Sequence, residues 1–77
     1  MDINEQQKFL EEQLDWCRKQ DAILDEIERT LYEMKAIAEY AATTDLPPDE
    51  IALLNQQLDD LKKEVQSLEK QLHAIVH

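Results

Sequence analysis

The residues with the clearest potential for chemistry are two histidines near the end of the sequence. His73 and His77 stand four residues apart, a spacing that on a helix can present two imidazoles to one metal ion. A zinc site needs three or four protein ligands, however, and no Glu-x-x-His motif accompanies the pair. We therefore expect no metal and no cofactor. Protonated histidines near the C-terminal end of a helix would instead interact favourably with the helix dipole.

Cys17 and several pairs of neighbouring acidic residues are the other candidates for chemistry. A reactive thiol needs a histidine, a helix N-terminus or a cationic cluster beside it, whereas Arg18 and Lys19 would point to other sides of a helix. The acidic pairs, such as Asp25-Glu26, match no second motif and are typical of a solvated helix face. Because the sequence also lacks a Gly-rich phosphate loop and a Ser/His/Asp arrangement, we expect no catalytic residue, no enzyme activity and no small-molecule substrate.

The composition indicates an acidic, all-helical protein. The 77 residues include no Gly and only two Pro, and good helix formers such as Leu, Glu, Gln, Ala and Lys dominate. The 18 Asp and Glu residues outnumber the 8 Lys and Arg residues, which gives a net charge of −10. This charge disfavours binding to nucleic acid and to anionic membranes, and it keeps a small chain with apolar stripes soluble.

Three features bear on the cellular location. A single cysteine fits a reducing compartment. The polar, acidic stretch 1–7 lacks the basic start and apolar core of a signal peptide, and no apolar run approaches the length needed to cross a bilayer. We therefore expect a cytoplasmic protein.

An unbroken apolar seam runs through the second half of the sequence. Pro48 suits the first position of a helix, and Asp49 and Glu50 would follow in its first turn, where the helix dipole favours negative charge. We predict a helix over about 48–76, preceded by a hinge at 43–47. The seam residues alternate at intervals of three and four, the spacing of a helix that lies along another helix. They are Ile51, Leu54, Leu58, Leu61, Val65, Leu68, Leu72 and Ile75.

The first half of the sequence predicts a longer helix, over about 3–42, with a wider apolar face. Two rows recur every seven residues and stand one residue apart. The cysteine row consists of Ile3, Leu10, Cys17, Leu24, Leu31 and Ala38. The tryptophan row consists of Phe9, Trp16, Ile23, Thr30 and Ile37, and the face is broadened by Leu14, Ile27, Met34 and Ala41. A face of this width indicates contact with more than one neighbouring helix.

Two helices joined by a short hinge are expected to pack antiparallel, as one hairpin domain over 1–77. About twelve N-terminal residues would then overhang the second helix. A hairpin of this size cannot bury both sides of its first helix, and its net stability alone would be near zero. We therefore predict a homodimer that forms a four-helix bundle. With residue 38 opposite residue 52, the expected pairs are Leu31 with Leu58, Leu24 with Val65 or Gln66, and Cys17 with Leu72.

These features favour a small, acidic, cytoplasmic protein–protein interaction module of the adapter, regulator or co-chaperone type. The alternative is an acidic inhibitor that mimics nucleic acid and occupies a basic groove, but interspersed basic residues break up the anionic track that mimicry needs. Either a second copy or a heterologous protein could cover the apolar stripe of the first helix. We favour the second copy, because the stripe continues along the whole helix. The residues expected to bind a partner are Ile3, Phe9, Leu10, Leu14, Trp16, Ile23 and Ile37.

Overall fold

The chain folds as two long helices. In a computed structural model, which describes residues 2–76, helix α1 spans Ile3–Thr43 and helix α2 spans Pro48–Val76, and this part of the chain contains no strand. The helices lie side by side as an antiparallel hairpin, in a body that measures 67 × 18 × 12 Å. The predicted all-helical class and helical hairpin are therefore confirmed.

The ends of the helices follow from local sequence. Asp2 caps α1, because its Oδ1 accepts a hydrogen bond from the backbone N–H of Glu5 at 2.8 Å. At the other end Thr44 is extended, with φ −123° and ψ 134°. The chain then turns without a residue of positive φ in the described range, as suits a sequence without Gly. Pro47 O accepts the first helical hydrogen bond of α2, from the N–H of Ile51 at 3.1 Å. Helix α2 therefore begins at Pro48, where the sequence predicts its first turn.

The seam of α2 faces α1 as predicted. From Leu54 to Ile75 every seam residue is at least half-buried, and Val65, near the middle of the helix, is only 8% exposed. Ile51, next to the hinge, is more exposed. On α1 the most buried residue is Thr30, at 2% exposed. Its Oγ1 donates to the carbonyl oxygen of Glu26 at 2.9 Å, so the polar hydroxyl sits in the seam without an unmet hydrogen bond.

The face that α1 presents to α2 differs from the expected one. The predicted pairs place Leu31, Leu24 and Cys17 of the cysteine row against α2, but all three are exposed. The half-buried residues of α1 are instead Gln20, Ile23, Glu26, Ile27, Met34 and Ile37. These belong mainly to the tryptophan row and the set beside it. Because the two rows stand one residue apart, and so about 100° apart around the helix, α2 packs on one row and leaves the other open.

The overhang has the predicted size. The indole Nε1 of Trp16 donates to the carbonyl oxygen of Ile75 at 2.8 Å, which marks the point on α1 where α2 ends. Helix α1 has 41 residues and α2 has 29, so they are about 62 Å and 44 Å long at 1.5 Å per residue. The difference is about twelve residues of α1. Residues 3–14 of α1 therefore extend beyond α2, and all of them are exposed.

Candidate interaction surface on the first helix

The open side of α1 carries the cysteine row along its whole length. Ile3 and Leu10 lie on the overhang, and Leu24 and Leu31 lie beside α2, 43% and 50% exposed. Cys17 and Ala38 are exposed as well. An apolar row of this length, exposed on one side of a hairpin, is the kind of patch that marks an interaction site.

A shallow apolar groove lies in the middle of this row. Six residues line it, all from α1: Leu24, Ile27, Glu28, Leu31, Tyr32 and Lys35. They form two overlapping sets of four with the spacing i, i+3, i+4, i+7, one starting at Leu24 and the other at Glu28. Four residues in this arrangement are what a helix presents as a hole to a side chain of a second helix. The spacing of these residues is therefore compatible with a docked helix.

The overhang is amphipathic and acidic. Its exposed apolar residues are Ile3, Phe9, Leu10 and Leu14. Residues 2–15 carry five acidic side chains against one basic residue, Lys8. Every side chain of this segment is exposed, so the apolar strip has no cover within one hairpin, and this segment matches an amphipathic helix that docks in a groove.

Trp16 joins the overhang to the paired part of the hairpin. The residue is 37% exposed, and its indole N–H donates to Ile75 O. This is one of the last four carbonyls of α2, which have no partner within the helix. Trp16 therefore acts as a tertiary cap for the C-terminal end of α2.

We expect Trp16→Phe to loosen that end of α2. Loss of the N–H···O bond costs about 1 kcal/mol, which for a domain of this size lowers the melting temperature by about 4–8 °C. Hydrogen exchange should speed up in the last turn of α2 and stay unchanged beside the hinge. Tyr40→Phe, the loss of a polar group from an exposed ring near the hinge, is the control and should change neither quantity. Equal effects of the two substitutions would contradict a capping role.

The predicted partner-binding residues fall into two groups. Ile3, Phe9, Leu10 and Leu14 are exposed on the overhang. Ile23 and Ile37 are half-buried on the side of α1 that faces α2, and Trp16 lies at the boundary. That these seven residues bind a partner remains a prediction. Sequence reasoning did not single out the groove residues Tyr32 and Lys35, although their i, i+3, i+4, i+7 spacing was readable.

The structure places the candidates for chemistry on different helices. Cys17 is exposed on α1, while His73 lies in a polar depression on α2 with Gln66, Glu69 and Lys70. His77 falls outside the described residues. Within residues 2–76, no three His, Cys, Asp or Glu side chains cluster in a way that could hold a metal ion.

No helix in the described range combines the length and the apolar character needed to cross a membrane.

The chain exposes far more surface than a compact protein of its mass. Its accessible surface is 6277 Å², whereas a compact monomer of 9.1 kDa exposes about 4,900 Å². Its radius of gyration is 19.2 Å, against about 11 Å for a compact domain of 77 residues.

No protein-family model, no curated protein and no solved structure matches this chain.

Proposed function

We propose that this chain is an interaction module without catalytic activity, in which α1 is the binding helix. Two copies associate through α1 into a homodimer with four helices, and the dimer binds other proteins. The observation that carries the proposal is the exposed cysteine row of α1, two of whose residues, Leu24 and Leu31, line a shallow apolar groove.

The surface area supports association. The chain exposes about 1,400 Å² more than a compact monomer of equal mass. A dimer that removed this excess from both chains would bury about 2,800 Å², within the range of obligate homodimers. The apolar face of α1 is wider than that of α2, and this difference favours α1 as the contact between the two copies. The apolar seam of α2 is narrow and already packed, whereas α1 is apolar over a wider arc.

Sedimentation equilibrium of the whole chain at micromolar concentration tests the proposal. We expect a mass of twice 9.1 kDa. Each chain carries a net charge of −10, so repulsion between copies is screened as salt rises, and the dimer should be as tight or tighter at 0.5 M than at about 0.05 M salt. A monomer at both salt concentrations would overturn the dimer.

Either the second copy or a heterologous partner covers the overhang, and a deletion distinguishes the two cases. Deletion of residues 2–12 removes Ile3, Phe9 and Leu10 and leaves the paired part of the hairpin intact. If these residues are part of the dimer core, the truncated chain should dissociate at concentrations where the full chain is a dimer. An intact dimer after deletion would assign the strip to heterologous docking instead.

Nucleic-acid mimicry is the alternative function, and only the total charge supports it. Ion pairs interrupt the acidic surface, for example Asp15–Lys19 and Asp59–Lys63, each at 3.1 Å. Another joins Glu26 and Arg29 at 2.7 Å. A mimic would bind a basic protein with an affinity that collapses as salt rises. The proposed docking depends on apolar contact, so its affinity should change only weakly with salt concentration.

A further inference from the structure

We propose that the groove on α1 is filled by α1 of a second copy, which lies antiparallel and overlaps it from end to end. The overhang of each chain then covers the hinge half of the partner's first helix. This inference rests on the dimer proposed above and specifies its geometry.

The residue spacing of the groove suits a helix as its occupant. One set of four residues is Leu24, Ile27, Glu28 and Leu31, and three of the four are apolar. The spacing i, i+3, i+4, i+7 accepts one side chain from a facing helix. A depression with the same spacing on α2 is lined by polar and charged side chains (Gln66, Glu69, Lys70 and His73). The apolar holes are therefore on α1.

The same helix carries side chains that fit these holes. Leu10, Leu14 and Cys17 are exposed on the open side of α1, at intervals of four and three residues. Successive holes of a facing helix are offset by three or four residues, so Leu14 and Cys17 can lie over neighbouring holes to within about one residue. None of the three is needed to hold α2, because α2 ends opposite Trp16 and packs on the other row.

End-to-end overlap fixes the register. It places Ile3 opposite Thr43 of the second copy, and hence Cys17 opposite residue 29 of that copy, next to Glu28 and over the hole that begins at Leu24. Leu14 then reaches the hole that begins at Glu28. A slip of one heptad in either direction shifts the helices by about 10.5 Å and leaves apolar residues uncovered at one end of each α1.

The single cysteine makes the register measurable. Asp21, Glu28 and Lys35 are exposed residues one heptad apart on α1. In each of three variants one of them becomes Cys, and the full-length dimer is oxidised with glutathione disulfide. A disulfide requires Cα atoms within about 7 Å, so only one of the three new thiols can reach Cys17 of the partner in a given register. We expect a covalent dimer for Glu28→Cys and none for Asp21→Cys, Lys35→Cys or the unaltered chain.

Every other pattern overturns the inference. Cross-linking of the unaltered chain would mean a parallel dimer or a different antiparallel register, since Cys17 would then face itself. Cross-linking through residue 21 or 35 would mean a slipped register, and none at all would mean that α1 does not face α1. The three variants in a Cys17→Ser background should give no covalent dimer, which excludes bonds between the new thiols. Sedimentation separates the two proposals: a monomer ends both, whereas a dimer with another pattern ends the geometry alone.

Discussion

Val65→Asp is expected to abolish most of the helical circular dichroism at 222 nm and 25 °C. Val65 is among the most buried residues of the hairpin, at 8% exposed, and it lies in a seam that is apolar over the length of α2. A carboxylate there is buried without a partner, at a cost of more than about 3 kcal/mol. A hairpin of this size has little stability beyond that, so the chain should unfold.

The matched control is Leu53→Asp. It introduces the same charge on the same helix, at a position that is 56% exposed, and should leave the helical signal close to that of the unaltered chain. A Val65→Asp protein that still melts cooperatively within a few degrees of the control would show that the seam is not the core of the fold.

Leu31→Glu is expected to separate association from folding. Leu31 is 50% exposed on the open side of α1 and lines the groove. In a symmetric dimer both copies lose a leucine contact worth about 1.5–3 kcal/mol each. The dissociation constant should therefore rise at least about 100-fold, as measured by sedimentation equilibrium.

Leu53→Glu is the control for this effect, because it makes the same substitution at similar exposure on α2, away from the groove. It should leave the dissociation constant within about threefold, the scale of an ordinary surface substitution. Equal weakening by both substitutions would point to a general effect of charge, and no weakening by Leu31→Glu would remove the groove from the interface.

The seam of α2 and the start of this helix were predictable because each has one strong local cause. Pro48 cannot continue a preceding helix but suits the first position of a new one. The spacing from Leu54 to Ile75 leaves only one apolar side to bury. The overhang followed from the lengths of the two helices.

The orientation of α1 about its own axis was not predictable in the same way. Its apolar arc contains three neighbouring sets of residues, and a rotation of α1 exchanges the two rows that can face α2. The structure packs the side with Ile27, Met34 and part of Trp16 against α2 and leaves open the side with Leu24 and Leu31. The buried side also contains Thr30, whose hydroxyl is satisfied only by its own helix, through Glu26 O. Periodicity alone does not carry that information.

The hairpin topology also sets the order in which the chain can fold. In an antiparallel hairpin the separation along the chain of two contacting residues grows with distance from the hinge, and it reaches 59 residues for the Trp16–Ile75 hydrogen bond. Because the entropy lost on closing a loop grows with its length, pairing should start beside Pro48 and advance towards the open end. Trp16 is the only tryptophan and stands where pairing finishes. The fluorescence of Trp16 should therefore report the last step of folding, whereas circular dichroism reports the earlier growth of the helices.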